Sequence, residues 1–374
     1  MPKVTVAQVL AWRMQRQLLD PIGTLGVEDV VRRLGAVQAQ VASSAELAIR
    51  VRRETSAAGE VAPALADGRL IKTWAMRGAL HLLTPEEGGA FLAVIASARP
   101  WERPSWQRYF GVGTRELDLM RDVAAEALDG KVLSREELIT AVAGRRELTH
   151  LADELRSGWG TLLKPLAWRG VLCFGPSRGA RVTFTRPDSA SDRWTGLPDP
   201  DDAASTVIRT YLGVYGPARI ETFGSWLAGG YFGKRRLRAW FEVIGDELVE
   251  VDVDGKRAFL LAHDVDEVAA MRPSRTVRLL PGFDQYVLGP GTGEGRVVPP
   301  ARRRAVSRQS GWISPVVLVG GVVTGTWHLG RDEIRVEAFP EVGAIPKNAL
   351  HAEVERWSGI IGRSLTVSVT PAAS

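Results

Sequence analysis

Three times along this chain, segments with helical spacing give way to two short strands joined by a glycine-containing turn. Val6, Val9, Leu10, Met14, Leu18 and Leu19, and then Val27, Val30, Val31, Leu34 and Val37, recur at the period of amphipathic helices. Further helices are expected over 46–53 and 61–65. The period then changes: 70–76, a turn at Arg77-Gly78, and 79–83 read as a β-hairpin. Thr84-Pro85-Glu86-Glu87 starts the next helix, and helices near 86–98, 115–128, 134–143 (Ser134 as cap, Glu137 three residues on) and 151–169 follow. These lead to a second hairpin, 171–174 and 181–185, turning at 175–179. Helices near 203–213, 217–228 and 232–244 precede a third hairpin, 248–253 and 257–261, turning at Asp254-Gly255.

Helices followed by a hairpin are the layout of a winged helix. The expected fold is therefore α+β, with tandem winged-helix modules over 1–84, 85–190 and 200–265 and a β-rich region over 270–374. The copies share a pattern rather than a motif. Residues 186–202, rich in Pro, Asp and Ser, are the linker candidate, and 291–311, polar and basic, reads as a mobile loop. Val316-Val317-Leu318-Val319, Gly320-Gly321 and the strand after them form a C-terminal hairpin. A strand over 334–339, a helix near 347–361 and a last strand over 365–369 complete a small β-barrel or α+β cap.

Composition narrows what such a body acts on. The charge is +5, from 48 Lys plus Arg against 43 Asp plus Glu, so a clustered basic excess favours nucleic acid. The single cysteine, Cys173, excludes an internal disulfide framework, an iron–sulfur cluster and a cysteine-rich zinc site. The five histidines lack metal-ligand spacing, and no glycine-rich dinucleotide loop, P-loop or HExxH is present. Neither a metal nor a cofactor is expected. With no signal segment and no 18-residue apolar run, a cytoplasmic protein without a membrane partner is expected.

Repeated winged helices usually engage nucleic acid, with the wing touching the phosphate backbone. The candidate DNA contacts are Lys72 and Arg77 of the first hairpin and Arg178 and Arg181 of the second. The run Lys234-Arg235-Arg236-Arg238, and Arg302, Arg303, Arg304 and Arg308, add basic clusters. Trp101 and Trp106 could stack on bases; packing against a neighbouring domain is favoured.

Gln38 and Gln40 straddle Ala39. On a helix, i and i+2 diverge; in an extended segment they share a side. Ser43 with Glu46 reads as a capping box opening a new helix, which puts both glutamines at a junction. A buried glutamine commonly just satisfies backbone groups. Its amide is no strong base, yet it can hold and orient a water. That suffices where the bond to be broken is already weak, as in an N7-alkylated purine nucleoside, whose base leaves as a cation-derived group.

Val37-Gln38-Ala39-Gln40 and Thr73-Trp74-Ala75-Met76-Arg77-Gly78-Ala79-Leu80-His81 resemble signatures of the winged-helix DNA glycosylase family typified by AlkZ. Gly216-Pro217-Ala218 with Trp226, Leu280-Pro281-Gly282-Phe283-Asp284, and the stretch from Val319 to Trp327 are also similar to that family. The resemblance implies tandem winged helices in a C-shaped body. It implies a monofunctional glycosylase that excises N7-alkylguanine and unhooks interstrand crosslinks, in some members as self-resistance to a DNA-alkylating antibiotic. The partner implied is double-stranded DNA carrying alkylated or crosslinked guanine, bound by a monomer.

The family's Gln-apolar-Gln motif maps onto Gln38 and Gln40 as catalytic residues. Another branch has Asp at the second position, so this chain resembles the crosslink-unhooking branch. Ala79 departs from the Thr often found there. A family hairpin that probes DNA is assigned to the turn with Lys256 and Arg257. The competing reading is a non-catalytic DNA binder, either a regulator or a damage-shielding protein. A dimeric transcription factor is weaker, because no heptad repeat supplies an interface.

Overall fold

The computed structural model describes residues 1–156 and 160–372. The fold is mixed α+β, in two compact units that are not contiguous in sequence. The first comprises Met1–Glu60, Ile208–Trp226 and Phe241–Ser374; the second comprises Val61–Val207 and Leu227–Trp240.

In the first unit, strands Leu248–Val253 and Lys256–Leu261 form the expected hairpin. They gain a third strand, Lys3–Val4, which lies parallel to Leu248–Val253. A two-residue strand carries too little period to be seen in the sequence. The helix that follows, Val6–Arg16, is closed by a capping box between Thr5 and Gln8. The C-terminal region is an open five-stranded sheet rather than a barrel. Val277–Leu280, Val316–Val319, Val322–Leu329 and Glu333–Ala338 are neighbours in antiparallel register, and Thr366–Pro371 is added parallel to the last of them. Parallel neighbours need a crossover, and the helix Lys347–Ile361 supplies it. Trp327 and Trp357 meet edge to face at 4.7 Å in this core. Their indole N–H groups donate to the carbonyls of Leu280 and Leu279.

Residues 291–311 are not a mobile loop. Val297, Val298 and Val306 are wholly buried in the same core, because apolar residues spaced along the polar stretch pin it down.

In the second unit, five strands run in the order Leu80–Leu83, Ile71–Trp74, Cys173–Phe174, Thr183–Thr185, Leu133–Ser134. The first and second hairpins both form as expected, and they join edge to edge where Lys72 faces Phe174. Trp74, Phe174 and Phe184 cluster on this sheet. Ser134 and Glu137 make the expected capping box. Trp101 is buried and stacks on Trp168, and Trp106 packs on Phe110; both rings pack, but on partners within this unit rather than on a neighbouring domain. The helix expected over 151–169 is instead broken into Ala152–Arg156 and Lys164–Trp168; residues 157–159 lie outside the described residues.

The candidate linker, 186–202, is bound down within this unit. Ser191 donates its hydroxyl to the Gly68 carbonyl at 2.6 Å, and Arg193 pairs with Glu86. Three of the four unit boundaries fall inside helices instead, and the fourth falls just before the helix Val61–Ala66. Cys173 is buried in the same unit, where burial foremost, and then the charge of Asp188, pushes its thiol up to about 12.

Candidate active site

The segment holding the two glutamines begins where a helix ends. Val27–Leu34 buries Val27, Val30, Val31 and Leu34, and Gly35 stops it at φ 72°, a conformation that suits glycine. The helix therefore ends three residues before Val37, earlier than the apolar spacing predicts. The Leu34 carbonyl, left without a helical donor, accepts the buried Tyr215 hydroxyl at 2.7 Å. Val37–Gln38 is extended, Ala39 is buried, Gln40 lies at a bend, and a new helix runs over Ala42–Arg50.

That helix is not opened by Ser43. Its N-cap is Val41, with no side-chain cap, so Ser43 falls in the first turn. Glu46 accepts from the backbone N–H groups of Gly59 and Glu60 instead, at 2.8 and 3.0 Å. The expected capping box is thereby corrected: the helix begins two residues too early for Ser43 to serve as its N-cap.

Gln38 is 7% exposed, and Gln40 is exposed. The Gln38 amide makes no side-chain hydrogen bond among the described residues, so its carbonyl and NH2 keep their capacity for a water or a substrate group.

Distant parts of the first unit brace this segment. Arg52, two residues past the helix Ala42–Arg50, grips Asp284 through both Nη1 and Nη2 at 2.7 Å, with both side chains almost fully buried. Arg52 also donates to the Ala48 carbonyl, and Asp284 accepts from the Tyr286 N–H. Gly282 stands so close that an added Cβ would lie 2.8 Å from the Ile313 carbonyl oxygen and 3.8 Å from the Ser44 hydroxyl. Arg13 donates to the carbonyls of Gly216 and Pro217, both at 3.0 Å. Tyr215 and Trp226 pack with Tyr211. Asp284 of the motif at Leu280, and Tyr215 beside the motif at Gly216, thus hold the chain on either side of the glutamine segment.

A match to a family model described as "DNA glycosylase AlkZ-like" spans residues 31–360. The chain belongs to the AlkZ-like DNA glycosylase family. It is 49% identical over 362 residues, covering 96% of this chain and 98% of the other, to an "Interstrand DNA cross-link repair glycosylase" of Streptomyces sahachiroi. The solved structure of the Streptomyces sahachiroi DNA glycosylase AlkZ matches with a TM-score of 0.96 and 48% identity, over 98% of this chain and all of that one. The glycosylase is accordingly an enzyme that acts on DNA.

The glycosylase places its candidate DNA-contacting cations in different settings. Lys256 and Arg257 are exposed on their hairpin turn, with Arg257 3.6 Å from Glu250. Arg303 is exposed, whereas Arg302 pairs with Glu341 at 2.5 Å and lies over the Phe339 ring. In the second unit Arg181 is exposed, and Arg178 is held by Glu137 at 3.1 Å and by the Val132 carbonyl. Lys72 is half-buried over the Phe174 ring, and desolvation lowers its pKa. Arg77 is exposed at the hairpin turn, with φ 54°.

His81 of the glycosylase is buried beside that turn. Its Nδ1 lies 3.0 Å from the Ala79 carbonyl oxygen. A carbonyl only accepts, so Nδ1 carries the proton and Nε2 is bare. Burial foremost, and then the charge of Arg77, lowers its pKa to about 3, so the ring is neutral near pH 7. A depressed histidine pKa means that the unfolded chain binds the extra proton first. Stability is therefore lost as pH falls from about 6.5 toward about 3, at up to about 1.4 kcal/mol per pH unit. Urea midpoints measured across that window should fall, and His81→Asn, which keeps a donor near the Nδ1 position, should flatten the dependence. An unchanged slope in the variant would remove His81 as its source.

Among the described residues, no three His, Cys, Asp or Glu side chains gather as a metal-binding group, and no helix is long and apolar enough to cross a membrane.

Proposed function

We propose that this enzyme hydrolyses the N-glycosidic bond of N7-alkylguanine in double-stranded DNA and unhooks interstrand crosslinks made through that position. The observation that carries the reading is the glutamine segment: two amides two residues apart, outside any helix, one nearly enclosed yet with no side-chain hydrogen bond among the described residues. The name of the Streptomyces sahachiroi relative, a crosslink-repair glycosylase, supports the same substrate class.

The chemistry follows from the leaving group. N7-alkylation gives the base a positive charge. The C1′–N9 bond breaks with its electron pair going to the base, which departs neutral. The sugar passes through an oxocarbenium-like state. Gln38 and Gln40 accept hydrogen bonds from a water through their amide oxygens and aim its oxygen at C1′. The C1′–O bond forms, and the surplus proton passes to solvent, leaving an abasic site. Neither amide takes the proton; the pair acts by proximity and orientation. A crosslinked guanine is tethered to both strands, so the lesion is attacked without full rotation into a deep pocket.

Contacts to the DNA backbone fall to Arg77, Arg181, Lys256, Arg257 and Arg303. Lys72, Arg178 and Arg302 join them by exchanging their present contacts for phosphate, as Arg257 exchanges its contact with Glu250. Two turns of the first unit are candidates to probe the duplex. One is the Asp254-Gly255 hairpin. The other is bridged from Ser307 to Ile313 and presents exposed Arg308 and Trp312, the latter against Phe283. Through Gly282 this second turn adjoins Ser44, four residues beyond Gln40, which favours it as the probe. The enzyme works as a cytoplasmic monomer, in self-resistance to a DNA-alkylating product. Helix-then-hairpin modules over 1–84, 85–190 and 200–265, with a β-rich region over 270–374, divide its sequence.

The test is direct. Purified enzyme is incubated with duplex carrying one N7-alkylguanine, and with crosslinked duplex; free base, abasic sites and separated strands are measured. Binding without base release would overturn the proposal.

A further inference from the structure

The second unit carries a basic and aromatic surface for which the excision chemistry has no use. Tyr109 is 81% exposed and Tyr231 44%, large values for aromatic rings. In the helix Pro104–Phe110, Trp106 and Phe110 pack on each other at 4.6 Å, while Tyr109 meets only the edge of Phe110, at 4.7 Å, and otherwise faces out. Arg103, just before this helix, sets its guanidinium 4.6 Å from the Tyr231 ring centroid and donates from Nη2 to the Tyr231 carbonyl at 3.0 Å. Two segments 128 residues apart thereby share one face.

Arg108, Lys234 and Arg235 are exposed on these same segments and have no carboxylate within ion-pairing distance among the described residues. Arg236, next in the chain, differs: Asp201 pairs with it at 3.0 Å. Cations left without counter-charge, beside tyrosines whose hydroxyls can donate, match the chemistry of a phosphodiester backbone. The enzyme's own substrate is such a polyanion.

Resting on the DNA glycosylase reading, we infer that Arg103, Arg108, Lys234 and Arg235, with Tyr109 and Tyr231, form a second DNA contact that holds backbone phosphates of undamaged duplex flanking the lesion. It supplies affinity and salt dependence and does not touch the glycosidic bond.

The test uses the full chain carrying Lys234→Ala with Arg235→Ala, and separately Tyr109→Ala. All three positions are exposed, so the fold is retained, and an unchanged urea midpoint checks this. For the double variant, the dissociation constant for undamaged duplex should rise about tenfold. The slope of log affinity against log salt should shrink by about 2, since each lost phosphate contact removes about 0.9. Tyr109→Ala should weaken binding with little change in slope. Single-turnover excision at saturating enzyme should stay within about twofold of wild type for both.

Wild-type affinity and slope in the double variant would overturn the inference. So would a loss confined to single-stranded DNA, or a saturating rate that falls as far as affinity. Wild-type protein assayed in parallel separates the two readings: no base release by wild type defeats the glycosylase proposal, whereas intact release with an unaltered salt slope in the variant defeats only this surface.

Discussion

Replacing Gln38 or Gln40 by alanine is expected to cut the single-turnover excision rate at least about a hundredfold while leaving affinity for damaged duplex nearly unchanged. A water displaced by about 1 Å from its line of attack costs that much. Affinity is spared because neither amide carries charge and neither contributes to the phosphate contacts that dominate binding. The double variant should be little worse than the poorer single, since both amides orient one water and their effects do not multiply. The alkylated base leaves readily without help, so a residual rate above the uncatalysed one is expected from binding alone. The measurement is released base under single-turnover conditions, with binding followed separately by fluorescence anisotropy. Excision at the wild-type rate in either variant would remove that glutamine from the mechanism.

Asp284→Asn is expected to destabilise the protein by about 3–5 kcal/mol, the usual cost of leaving a buried charge without its partner. Arg52 and Asp284 are 0% and 1% exposed and joined by two 2.7 Å hydrogen bonds, so no solvent is at hand to replace the lost carboxylate. Asparagine keeps one oxygen for the Tyr286 N–H, so the loss is assigned to Arg52 rather than to the short helix that Asp284 caps. Pairing Arg52→Met with Asp284→Leu should recover part of the stability, because an apolar pair leaves no unmatched charge. Urea unfolding monitored by tryptophan fluorescence measures both. A change below about 1 kcal/mol in the single variant would show that the pair contributes little. Because Arg52 lies two residues past the helix that follows Gln40, excision by Asp284→Asn should decline more steeply with temperature than in wild type.

The site was legible in unequal parts. That the glutamines lie outside a helix followed from their flanks, although the boundary came from Gly35 and not from the apolar spacing. The first three hairpins showed in their period-two alternation and turn glycines. The strand Lys3–Val4, the junction of Lys72 with Phe174 and the burial of Val297, Val298 and Val306 did not show, because each depends on what lies opposite. Backbone N–H and C=O groups are the same in every residue, so the pairing of one strand with another leaves no local mark.

What the sequence by itself determined is therefore local: where helices and hairpins start, which motifs resemble the family's, and which two amides could hold a water. Tertiary structure alone decided that Asp284, 232 residues from Arg52, and Tyr215, 181 residues from Leu34, would hold that segment in place. It also decided which cations stay exposed and which are tied to a carboxylate, as Arg303 and Arg302 show side by side. Periodicity is set by neighbours along the chain; burial and ion pairing are set by neighbours across space.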